Sequence, residues 1–173
     1  MDKLLLEYPW IPKVVSLSKD HGLDWLLMAC MALELSEGDP RCRTLDREFL
    51  VSELGAVNPH YTQHWKGGLP DTKITDLATR WGLFQILGRI AVDNQVFTGR
   101  IINFTDIGAN VRAACLLAGN ILNKGGTEDD IIKYFGADPE RVRALMSESR
   151  ASVNLLMNIS ASITEEEEKV EQA

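Results

Sequence analysis

Positive charge, aromatic side chains and paired cysteines are all scarce in this chain. Lysine and arginine number 18 against 25 aspartates and glutamates, giving a net charge of -7. Phosphate backbones are bound by basic surfaces, so no nucleic-acid partner is expected. Simple electrostatic attachment to anionic surfaces is disfavoured for the same reason. Part of the negative excess sits in the run Glu165 to Glu168, which reads as a solvated end. Aromatics make up only 7%, so a core must rest on Leu, Ile, Val, Ala and Met. The three cysteines, Cys30, Cys42 and Cys115, are odd in number and show no CxxC spacing. Cys30 and Cys115 sit in apolar helical stretches, where a free thiol packs as a small hydrophobe. The longest apolar stretch, Trp25 to Leu33, is far too short for a bilayer. Met1 to Leu6 is interrupted by Glu7 and Pro9 with no small-residue cleavage site, so synthesis in the cytoplasm without a signal peptide is expected.

Familiar cofactor and metal patterns are missing too. Gly67-Gly68 lacks the Lys-Ser or Lys-Thr of a phosphate loop. His60 and His64 are four apart, but no glutamate stands beside His60 as a metalloprotease requires. Three scattered histidines give no Ser-His-Asp order. No cofactor and no metal are expected. Tyr61 and Trp65 could stack on sugar rings or simply pack in a loop.

What is present is helical periodicity. Residues 1–20, with Pro9 and Pro12, read as a loose lead-in with room for one short helix. Asp24 is a good N-cap for a helix that is apolar on most faces through Leu35, which marks it as central and buried. It should end near Glu37–Gly38, with Gly38 as a left-handed cap and Pro40 unable to continue. Leu45 to Leu54 reads as an amphipathic helix, Asn58 to Gly68 as a loop, Asp71 to Trp81 as a helix broken by Gly82, and Leu83 to Asn94 as helix again. Thr105 to Lys124 is the clearest amphipathic helix. Thr127 and Asp130 make a capping box, and Asp138-Pro139 starts a last helix towards Ile159. No alternating strand of useful length is visible. The expectation is an all-α domain around a buried central helix, with little or no β structure. It would run over residues 21–160 and be followed by an acidic tail at 161–173.

Glu34 is the best chemical candidate. Its helix has little polar surface, so the carboxylate should be partly desolvated. Desolvation keeps a carboxyl protonated closer to neutrality, the form a glycosidic leaving oxygen requires. A glutamate near a helix end is more often plain solvated surface.

The segment Glu34-Leu35-Ser36-Glu37-Gly38-Asp39-Pro40 resembles the catalytic segment of the lysozyme-like lytic transglycosylases, where a helix ends in Glu-Ser before a Gly-rich stretch and Asn-Pro. Trp81-Gly82-Leu83-Phe84-Gln85-Ile86 is similar to that family's Gly-Leu-Met-Gln segment, and goose-type lysozymes share the pattern. Ile131 to Gly136, with Tyr134, stands where the family has Ala-Tyr-Asn-Ala-Gly. Arg47-Glu48-Phe49 and Pro59 through Trp65 resemble the insertion of phage-type members. The likeness spans about residues 23 to 153. It departs at Ser36, one residue further from the glutamate, and at Asp39, Phe84 and Phe135, which replace Asn, Met and Asn.

The resemblance implies cleavage of the β-1,4 bond between MurNAc and GlcNAc in peptidoglycan by a phage-encoded muramidase or lytic transglycosylase. Glu34 would be general acid and base, with Glu37 its rival. Ser36, Gly82, Leu83, Phe84, Gln85, Tyr134 and Glu48 would line the substrate. Such an enzyme would act on the cell wall from a virion or after release by a lysis system. Two other readings stay open: a non-catalytic virion or wall-binding protein that keeps the fold, and a helical adaptor unrelated to sugars.

Overall fold

A computed structural model describes residues 8–50, 75–96 and 100–151. The described chain is mostly helical, with one small antiparallel sheet. In order it forms α1 (Ile11–Asp20), α2 (Trp25–Ser36), β1 (Arg43–Leu45) and a helical turn at Arg47–Phe49. Next come β2 (Thr79–Trp81), β3 (Ile86–Leu87), α3 (Gly88–Asp93) and a 3-10 turn at Ile101–Thr105. The described chain closes with α4 (Ile107–Asn123), α5 (Glu128–Phe135) and α6 over 139–151.

The start signals act as their chemistry requires. Asp24 accepts from the Leu26 amide at 2.8 Å to open α2. Asp106 does the same for Ala109 at 2.8 Å to open α4. Thr127 and Asp130 satisfy each other's backbone amides at the head of α5. Asp138 accepts from Glu140 at 2.9 Å, with Pro139 in the first turn of α6.

α2 is the core's axis. Every residue from Leu26 to Leu33 is buried. At roughly 1.5–3 kcal/mol for each large apolar side chain, this helix is held by its packing rather than by intrinsic propensity. α1 touches both α2 and α4. Trp10, Ile11, Val14 and Leu17 are all buried. Residues 11–20 are therefore the short helix that the lead-in had room for, and it is packed into the core rather than loose. The two prolines, Pro9 and Pro12, stand before and in the first turn, where their missing amides cost nothing.

The sheet is the main departure from the helical expectation. β1 pairs with β2 through Arg43↔Trp81, Thr44↔Arg80 and Leu45↔Thr79. β2 pairs with β3 through Arg80↔Leu87 and Trp81↔Ile86. Leu45 and Trp81, expected to be helical, are strand residues, and residues 82–85 form a turn. Strands of two or three residues are too short to show a period of two, so periodicity alone assigns their apolar residues to helices. Asp46 ties the corner: its carboxylate accepts from the Phe49 amide at 2.9 Å and from Arg80 at 3.1 Å. Among the described residues, no helix is long and apolar enough to cross a membrane. Tyr61, Trp65, His60, His64 and the acidic run at 165–168 lie outside the described residues.

Candidate functional site

Glu34 occupies the last turn of α2 and is half-buried. Its carboxylate makes no hydrogen bond or ion pair with any described residue. Ser36, two residues on, is buried, and its hydroxyl donates to the Ala32 carbonyl at 2.7 Å. That back-bond uses the hydroxyl inside the helix, so Ser36 presents no group to a substrate as the resemblance implied. Glu37 is exposed and takes the left-handed conformation itself, at φ 54°, while its amide closes on Leu33 at 2.8 Å. The cap expected at Gly38 thus falls one residue earlier, and Gly38 follows with φ 77°.

Gly38 is held from the N-terminal side. The Trp10 indole donates to its carbonyl at 2.9 Å, and a Cβ there would meet the Tyr8 ring at 2.7 Å. Two consecutive turns carry the chain away, Asp39 N to Ser36 O at 3.0 Å and Cys42 N to Asp39 O at 3.1 Å. The Asp39 carboxylate accepts from the Arg41 amide at 2.8 Å, an Asx-turn. This is an acceptor's task that aspartate performs as well as the asparagine it replaces.

The Gly82–Gln85 turn is bonded to this exit. Gly82 N and Gln85 Nε2 both donate to the Cys42 carbonyl, at 2.9 and 3.1 Å. Gln85 Nε2 also donates to Gly82 O at 2.8 Å. Gln85 is buried and sits at φ 45°, a conformation of non-glycine residues that surrounding structure must enforce. Its amide nitrogen is committed to two backbone carbonyls instead of a sugar. Leu83 and Phe84 are fully buried, so their side chains are core and not substrate lining.

Asn110 is a residue that the sequence motifs did not single out. It is 1% exposed, within α4. Its Oδ1 accepts from the Phe84 amide at 3.0 Å, and its Nδ2 donates to Trp81 O at 2.9 Å and Phe104 O at 3.2 Å. A Cβ on Gly82 would stand 2.6 Å from the Asn110 amide carbon, and Gly82 has φ 71°. Asn110 and the left-handed backbone are together enough to demand glycine at this position. A signal existed: Asn110 falls on the same stripe of α4 as Ile107, Val111 and Ala114, where an amide must find partners.

Tyr134 stands apart from this unit among the described contacts. Tyr134 is exposed, with its ring edge-on to Phe135 at 5.5 Å. Partial burial pushes its phenol above the ordinary value. No described contact links it to Glu34, so the expected orienting hydrogen bond is not made. Phe135 instead brings α5 to the turn, packing on Phe84 at 6.0 Å. An amide at position 135 would be stranded there, which accounts for the phenylalanine. Glu48 is exposed in the helical turn after β1.

An open cleft of about 470 Å³ begins just beyond the α2 exit, lined by Pro40, Arg41, Asn103, Thr105, Asp106 and Ile107. None of Glu34, Gln85 and Tyr134 lines it. Among the described residues no cluster of three or more His, Cys, Asp or Glu side chains could hold a metal ion.

No family model matches the chain, and no match is found among curated proteins or solved structures. The function is thus argued from the arrangement itself. It offers one half-buried glutamate near the end of an apolar helix, a hydrogen-bonded exit, and an open cleft alongside that exit.

Proposed function

We propose that the protein cleaves the glycan strands of peptidoglycan, with Glu34 as general acid and then base. The observation that carries the reading is Glu34 itself: a half-buried glutamate, without a described partner, in the last turn of a helix whose preceding eight residues are all buried. Several other carboxylates of the described chain are at work as caps or ion pairs, as with Asp24, Asp46, Asp106 and Asp130, and those without a described partner, such as Asp20, Glu128 and Glu140, are exposed. Glu37 is exposed and is the helix cap, which favours Glu34 over it.

In this reading Glu34 gives its proton to the scissile oxygen as the C–O bond breaks. The substrate's own acetamido oxygen or its 6-hydroxyl attacks the anomeric carbon, so a second protein carboxylate is not required. The Glu34 carboxylate then takes a proton from water, giving a reducing end, or from the 6-hydroxyl, giving an anhydro ring. The hydrogen-bonded exit after α2 steadies the helix end that carries Glu34, and a bound strand would complete the positioning of its carboxylate. Delivery from a phage virion or through a lysis system belongs to the same proposal.

Glu34→Gln keeps the size and removes the proton. It should leave the fold intact and lower clearing of purified sacculi by ~10² or more. Glu37→Gln should retain most activity. Mass spectrometry of the released muropeptides identifies the bond and the product. Full activity in the Glu34 variant would end the proposal. The second reading, a wall-binding protein without catalysis, draws on the burial of Leu83, Phe84 and Gln85 and on the separation of Tyr134. Binding of chitooligosaccharides with no cleavage by the wild type would select it.

A further inference from the structure

We infer that the cleft beside the α2 exit is a subsite for the charged stem peptides of peptidoglycan, an assignment that rests on the glycan reading above. The cleft is amphoteric. Arg41 is exposed, and its guanidinium has no carboxylate partner among the described residues, although the Asp39 carboxylate bonds its backbone amide. Asp106 faces the same space with one oxygen, Oδ1, held by the Ala109 amide as the cap of α4. Its other oxygen bonds no described residue. Asn103 adds an amide to the same lining, and Pro40 and Ile107 supply apolar walls.

A neutral glycan would leave both charges unmatched. A purely anionic ligand would meet Asp106, and a purely cationic one would meet Arg41. The ligand that satisfies this lining carries a carboxylate and an ammonium on a short, partly apolar body. Stem peptides have that chemistry, and they hang from alternate sugars of the strand. The placement fits as well. Each of the two turns after α2 spans less than about 7 Å, so the mouth of the cleft stands within roughly 15 Å of the end of the Glu34 helix. A peptide seated there would be attached to a sugar within reach of α2. With a net charge of -7 the protein has no long-range attraction for an anionic wall, so a local pairing site of this kind would supply discrimination.

The test is titration of the full chain with the tetrapeptide N-acetyl-L-Ala-γ-D-Glu-meso-diaminopimelate-D-Ala, whose L-Ala amine is blocked as it is in the wall and whose one free amine is that of diaminopimelate, followed by amide NMR shifts and calorimetry. Saturable shifts should cluster at residues 40–41 and 103–107. Arg41→Ala should weaken binding about tenfold or more, the usual size of one lost charge-assisted contact. Asp106→Asn keeps a competent cap and so keeps the fold. It should weaken the tetrapeptide but not a version whose diaminopimelate amine is also acetylated. Arg141→Ala, an exposed arginine of α6, controls for net charge and should bind as the wild type does. No shifts at the cleft, or equal binding by Arg41→Ala, would overturn the inference. Since this readout needs no turnover, failure of the glycan reading appears separately, as sacculi left uncut by the wild type.

Discussion

Asn110→Ala is the most informative single substitution for the architecture around the Gly82–Gln85 turn. The side chain holds three backbone groups: Phe84 N–H, Trp81 C=O and Phe104 C=O. Truncation strands the buried Phe84 amide, at ~1–3 kcal/mol, and forfeits two further bonds at ~1 kcal/mol each. The expected loss is ~3–5 kcal/mol, a large part of the ~5–15 kcal/mol typical of a folded domain. With a urea m-value of ~2 kcal/mol/M the midpoint should fall by about 2 M. Gly82→Ala tests the same contact from the other side. Its new Cβ would lie 2.6 Å from the Asn110 amide carbon, a clash worth ~1–3 kcal/mol, and the left-handed backbone adds ~1 kcal/mol. Alanine at 110 removes the clashing atoms, so the double variant should recover the clash and leave the backbone strain. Urea titrations of all four proteins give the coupling, expected to exceed about 1 kcal/mol. An Asn110→Ala loss below about 1 kcal/mol, or strict additivity, would refute the claim that Asn110 dictates glycine at position 82.

Other outcomes follow from the same structure. Burial, partly offset by hydroxyl hydrogen bonds from Ser149 and Ser18, pushes the Cys30 and Cys115 thiols up from 9.0 to about 11. In the native protein at about pH 8 only Cys42, which is partly exposed, should react quickly with a disulfide reagent, and urea should release the other two. The unfolded thiols ionise first, so the stability lent by the protonated thiols is present below pH 9.0 and lost as pH rises through 9.0 towards about 11, which alkaline denaturation would register. Thr127→Ala should cost about 1 kcal/mol by opening the α5 capping box. The box, led by the Thr127 backbone amide, holds Asp130 below its usual carboxylate value; its contribution is therefore present above that value and is lost as pH falls through the lowered one. Acid titration of a Thr127→Ala variant should show that low-pH component diminished.

Much of the helical frame was legible because helix ends are written in local chemistry. Asp24, Thr127 with Asp130, and Asp138-Pro139 each announce a start by a side chain that satisfies an amide two or three residues away. α4 was legible through its stripe, although it begins at Ile107 and not Thr105, since Asp106 is the residue that caps it. The sheet was hidden because its first two strands pair residues 34 to 38 positions apart, and nothing local marks a two- or three-residue strand. For α1 a short helix was legible but its burial was not, since Pro9 and Pro12 read as breakers until one is seen to precede the helix and the other to lie in its first turn. At the site, the place of Glu34 near the end of a buried helix could be read directly. The inward turn of Ser36, Leu83, Phe84 and Gln85 could not, since their partners, Ala32 O, Cys42 O and Asn110, are set by the folded backbone and tertiary contact. A motif match fixes which residues occur in order; it does not fix which of their atoms remain available.

The indole of Trp10 gives this protein an optical probe that requires no labelling. It is sealed from solvent, lies 5.2 Å from the Tyr8 ring, and donates to the carbonyl of Gly38, where the chain turns out of α2. Any occupant that shifts that corner must lengthen or bend the N–H···O contact, and indole emission responds to both. With Trp25, Trp65 and Trp81 replaced by phenylalanine, the remaining fluorescence would report events beside Glu34 in real time, whether or not a bond is cut.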